Sequence, residues 1–160
     1  RQRCPSTGAR KMTAPAAAPE RREAARPPWR AMVCGVDGTA VVKKNKLNVT
    51  GPRITITTNW GDENYDFDIA LPVDRNDGPL VDPVKAGTSY GGKALVTSFT
   101  GSPAQLPLSR LMLKAYAETH GYSFDESGEG NGRPFDELTS QPGAAEDAQS
   151  FNVYLPIQQQ

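Results

Sequence analysis

Histidine and cysteine are almost missing from this sequence. Its 160 residues include one histidine, His120, and two cysteines, Cys4 and Cys34. A single imidazole excludes a multi-histidine metal site, and two thiols are too few for a disulfide framework or a cysteine-built zinc site. No metal and no cofactor are expected. Long hydrophobic runs are missing too. Nothing approaches the roughly 18 consecutive apolar residues of a membrane helix, and no N-terminal apolar segment reads as a secretory signal. With reduced thiols as the default, a cytoplasmic setting is expected. Net charge is likewise absent, since 18 basic and 18 acidic residues cancel.

The cancellation is uneven along the chain. Residues 1–30 carry eight basic and two acidic residues, a net +6, which leaves −6 on residues 31–160. The basic segment is rich in Pro and Ala, with few large apolar residues before Trp29. Such a composition buries too little surface to offset its ordering entropy, so residues 1–30 are expected to form a disordered tail. Residues 31–157 are expected to form the folded domain.

Within that domain, residues 31–46 read as a weak helix carrying Cys34, interrupted by Gly35 and Gly38. Ile54–Thr58 and Tyr65–Leu71 alternate as strands, and residues 74–90 read as an irregular linker. Lys93–Phe99 is a further strand. Leu108, Leu111, Met112, Ala115, Tyr116 and Thr119 recur with helical spacing, so they predict the buried stripe of a helix. His120 and Gly121 close that helix, with His120 favoured at the negative end of its dipole. Glycines cluster over 126–132, where no phosphate-loop Lys-Ser or Lys-Thr follows. Residues 134–139 and 151–155 are the last strands. The order of elements repeats, and Asp68–Val73 even matches Asn152–Ile157 in pattern. The first copy lacks an opening strand, which suggests an altered or truncated start.

Five segments carry a resemblance: Leu47–Pro52, Tyr65–Val73, Gly92–Ser98, Gly132–Pro142 and Phe151–Ile157. In order and spacing they resemble the GyrI-like domain, also called the AraC-type effector-binding domain. The resemblance implies an α+β fold: two strand-helix-strand-strand repeats forming one antiparallel sheet, with helices on one face and a ligand groove on the other. It also implies a groove for hydrophobic, often cationic, small molecules. Many members sense ligands behind a helix-turn-helix domain in transcription regulators, and some stand-alone members are hydrolases. No helix-turn-helix segment is legible here, so nucleic-acid contact is expected only through a separate DNA-binding domain.

The family's groove carboxylate lies six residues before a proline. Counting back from Pro142 gives Asp136, with Leu138 at the family's tyrosine position, while a one-residue shift gives Glu137. Strand alternation adds an argument independent of the family. Phe67, Ile69 and Leu71 share one face, as do Phe151, Val153 and Leu155, and these faces should meet the helices. Asp66, Asp68, Asn152 and Tyr154 then fall on the opposite face, where Asp136 and Leu138 are expected to join them. Trp60 is a groove wall or core, and Tyr90 and Tyr116 are lesser groove candidates. The expected ligand-binding set is therefore Asp136, Tyr154, Trp60, Asp68, Leu138 and Asn152. Carboxylates among aromatic rings suit an organic cation. The leading functional reading is a small-molecule-binding module with no catalytic residue. The alternative is a small hydrolase using Asp136 as general base or nucleophile, although no second catalytic group is legible and there is no Gly-x-Ser-x-Gly elbow.

Overall fold

Short β-branched and alternating runs dominate residues 31–158, and they pair into one antiparallel sheet. The structure is a computed structural model that describes residues 31–35, 38–60, 65–76, 79–80, 82–125, 132–141 and 143–158. The expected disordered tail, residues 1–30, and most of the glycine cluster, residues 126–131, lie outside the described residues.

The strands are β1 (Ala31–Cys34), β2 (Ile54–Trp60), β3 (Tyr65–Pro72), β4 (Lys85–Thr88), β5 (Ala94–Thr100), β6 (Phe135–Leu138) and β7 (Ser150–Pro156). Helix α1 (Gly38–Lys44) lies between β1 and β2, and helix α2 (Leu106–Thr119) between β5 and β6. The strand order is β4-β1-β3-β2-β6-β7-β5. The triplet β1-β3-β2 mirrors β5-β7-β6, so the two strand-helix-strand-strand copies meet where β2 pairs with β6. The fold is α+β, as the sequence suggests.

Three expectations change. The opening strand of the first copy is present: β1 occupies the start of the segment read as a helix, and only Gly38–Lys44 is helical. Ala31–Cys34 is too short to display a period, and its strand state comes from hydrogen-bonded neighbours on both sides, β3 and β4. Cys34 accordingly sits on a strand. The segment read as a linker contains β4, which extends the sheet beyond the repeat.

The third change concerns α2. Its buried residues are Leu106, Ser109, Arg110, Leu113 and Ala117, while Leu108, Leu111 and Met112 are 62%, 53% and 46% exposed. The helix is therefore rotated away from the face that its apolar residues predict. Leu106, Leu113 and Ala117 pack on Leu95, Phe151, Val153 and Leu155 of the sheet. Burying each large apolar side chain of this kind contributes about 1.5–3 kcal/mol. The opposite half has its own cluster, in which Val41, Val42 and Leu47 from α1 and the turn after it meet Val33, Val73 and Val84.

The link 89–93 joins the two edges of the sheet, from β4 to β5. Seven flat strands would set those edges roughly 29 Å apart. Thr88 to Ala94 can reach only about 20–22 Å when extended. The sheet must therefore curl toward the face that this link crosses, which is the face without helices.

Candidate functional site

The curled face is an apolar groove. Its floor is Met32, Ile54, Ala70, Ala94, Val96, Phe135 and Tyr154, one contiguous cluster with Cys34, Ile56 and Tyr90 packed against it. Strand pairing shows why they converge. Phe135 lies opposite Ile56 on one side and opposite Tyr154 on the other, and Tyr154 lies opposite Val96. The Phe135 and Tyr154 rings stack with centroids 4.6 Å apart and planes 9° apart.

One carboxylate is built into this surface. Glu137 follows Phe135 by two residues, so both side chains leave β6 on the groove face. It is 5% exposed, and the Tyr154 hydroxyl donates to its Oε2 at 2.7 Å. Asn152 lies directly opposite Glu137 in the β6–β7 ladder, and its Oδ1 accepts from the Ser98 hydroxyl at 3.1 Å.

Asp136 points the other way. It is 1% exposed and forms a fork with Arg110 of α2, which is 2% exposed. Arg110 Nε donates to Oδ1 at 3.3 Å, and Nη2 pairs with Oδ2. Burial raises the carboxyl above its ordinary range, and the Arg110 charge pulls against that rise. Asp136 therefore lies between sheet and helix, away from the groove, and Leu138 packs on the α2 side with it. The reason is register. Phe135 and Leu138 are three residues apart, so their apolar character cannot say which face is which. The pairing of Phe135 with Tyr154 decides it.

The other expected residues are divided. Tyr154, Asn152 and Asp68 share the groove face. Asp68 is exposed, opposite Ile56. Burial pushes the Cys34 thiol above its ordinary value, and the Asp68 charge adds to that rise. Trp60 closes β2, and its side chain lies outside the described residues. Tyr116 is half-buried on α2 and stacks on His120 at 3.8 Å, away from the groove. Phe135, Met32, Ile54 and Ile56 were missed as groove residues. Phe135 shares a face with Tyr154 through the β6–β7 register, which the sequence does not give. Among the described residues, no group of three or more His, Cys, Asp or Glu could hold a metal ion, and no helix is long and apolar enough to cross a membrane.

No family model matches the sequence, and no curated protein is similar to it. Solved structures do share the fold. One is EcmrR, seen by cryo-EM in an EcmrR–DNA complex in EcmrR-RPo, with a TM-score of 0.68 at 13% identity over 82% of this chain. The match covers 55% of the EcmrR chain, so this chain spans about half of that protein's length. An uncharacterized conserved protein from Listeria innocua aligns at TM-score 0.62 and 13% identity, over 91% of this chain and 94% of its own. A hydrolase from Listeria innocua aligns at TM-score 0.56 and 12% identity, over 82% and 88%. At such identities the likeness is one of fold.

Proposed function

We propose that residues 31–157 form a GyrI-like effector-binding domain whose groove binds an amphipathic, lipophilic cation. The observation that carries this reading is Glu137, a buried carboxylate that accepts from the Tyr154 phenol on the face that carries the aromatic cluster. An organic cation there would gain Coulomb attraction in a partly dry site, and ring contacts of about 0.5–2 kcal/mol. The net charge of −6 on residues 31–160 favours cations at longer range. The fold shared with EcmrR supports the reading of an effector-binding module.

The test is a titration with acridine orange, a planar cation, and Nile red, a neutral dye. Glu137→Gln should weaken acridine orange binding by about 1.5–3 kcal/mol, the range for hydrogen bonds to charged groups. Nile red binding should barely change. Asp136→Asn with intact folding should leave the preference for the cation in place. Equal losses for both dyes, or none, would overturn the assignment of Glu137.

The hydrolase reading draws on the fold shared with a Listeria innocua hydrolase. In this structure the buried carboxylate on the groove face is Glu137, whereas Asp136 is paired with Arg110 on the helix side. Turnover of activated esters that Glu137→Gln abolishes would favour it. Binding of acridine orange without turnover would favour the effector-binding reading.

A further inference from the structure

The groove is narrow beside Tyr90. The space there, lined by Met32, Ile54, Ile56, Ser89, Arg133 and Phe135 among others, is about 50 Å³ and opens to solvent. A cavity that accepts benzene measures about 150 Å³. A ligand of several fused rings therefore cannot enter this space unless a side chain moves, whereas a single ring can rest at its open mouth. The walls on β1, β2 and β6 are held by strand ladders on both sides. Tyr90 is held differently. It stands on the link 89–93, followed by Gly91 and Gly92, and its ring lies 6.2 Å from Phe135 at 51°.

Two details mark Tyr90 as the movable part. Its hydroxyl donates to the Lys93 carbonyl at 2.8 Å, so the polar end of the ring is satisfied within the link itself. The ring can leave the groove without abandoning a partner on the sheet. Gly92 makes the inward position possible. A Cβ there would lie 2.4 Å from the Tyr90 hydroxyl oxygen and 2.6 Å from Cζ, so no other residue fits while the ring is folded over it.

We propose that Tyr90 sets the size limit of the groove: its ring takes the space over Phe135 that a multi-ring ligand needs, and Gly92 permits that placement. This rests on the groove being the binding site. It adds which residue discriminates by size, separately from the charge recognition assigned to Glu137.

The experiment uses the full chain and two cations, benzyltrimethylammonium with one ring and acridine orange with three fused rings. Tyr90→Ala should tighten acridine orange binding roughly tenfold, about 1.4 kcal/mol, and leave the one-ring cation unchanged or weaker. Gly92→Ala should act in the same direction, because its methyl group displaces the ring. The two changes combined should do no more than Tyr90→Ala alone. Tyr90→Phe keeps the ring and should keep the size limit. Equal weakening of both cations by Tyr90→Ala would overturn the proposal, making Tyr90 an ordinary wall. So would a Gly92→Ala protein, folded by circular dichroism, that binds both cations as before. If Glu137→Gln still removes the preference for cations in those cases, the binding site stands and only the size-limiting role fails. If no variant nor the parent binds either cation, both fail.

Discussion

Asp136 and Glu137 are neighbours in the chain and face opposite sides of one strand. On the helix side, Asp136 meets an arginine and the pair is sealed by α2. On the groove side, Glu137 accepts from the Tyr154 phenol. The first environment consumes its carboxylate, because both charges are buried and matched. The second holds its carboxylate beside Tyr154 and opposite Asn152, on the face that carries the aromatic cluster.

The comparison breaks hardest at the ion pair. Asp136→Ala should cost about 3–5 kcal/mol, because it strands the Arg110 charge in the interior. Replacing both partners, Arg110→Met with Asp136→Leu, should recover most of that loss, since a packed apolar pair is often as stable as a buried ionic one. Urea unfolding of the single and double variants measures this. A double variant as unstable as the single would mean that Arg110 has a further buried role.

The rotation of α2 gives the next largest effect. Leu113→Ala, on the buried face, should cost about 2–5 kcal/mol. Leu111→Ala, on the exposed face, should stay within about 0.5 kcal/mol. The reverse order in urea unfolding would restore the stripe that the apolar residues suggest.

The smallest effect is at Cys34, on the groove face. Its raised pKa should make alkylation by iodoacetamide at pH 8 slower than that of a free thiol. Asp68→Asn removes one cause of the rise and should quicken the reaction, as followed by mass spectrometry at Cys34. The same rise means that Cys34 contributes stability below the ordinary thiol range, and this is lost as pH climbs through the raised value. Unchanged alkylation in Asp68→Asn would place the Asp68 carboxylate too far away to act.

Much of the fold was legible. Alternation in Phe151–Leu155 assigned its faces correctly, and Phe151, Val153 and Leu155 pack under α2. In Tyr65–Leu71 it held for Leu71, which packs with the α1 cluster, but Phe67, expected to meet the helices, is 49% exposed because the short α1 does not reach it. The α2 segment was legible as a helix but misread as to face. Its buried stripe includes Ser109 and Arg110, which no hydropathy pattern would place inside, and Arg110 is buried only because Asp136 waits on β6. The site was half legible. Tyr154, Asn152 and Asp68 followed from alternation, whereas β6 is four residues long with apolar residues three apart, which gives no phase. Four-residue β1 and β4 were invisible for a related reason: a strand that short shows no period, and its existence depends on pairing with partners distant in the chain.

By itself, the sequence determined the class of fold, the repeat and the two long alternating strands, because those properties reside in local period and turn residues. Tertiary structure alone decided which of two adjacent carboxylates lies on the groove face, which side of α2 is buried, and that a tyrosine on a short link packs against Phe135. Each of these depends on a partner far away in sequence: Tyr154 for Glu137, Arg110 for Asp136, Phe135 for Tyr90. A register of one residue inverts a strand's faces, and only cross-strand pairing sets it.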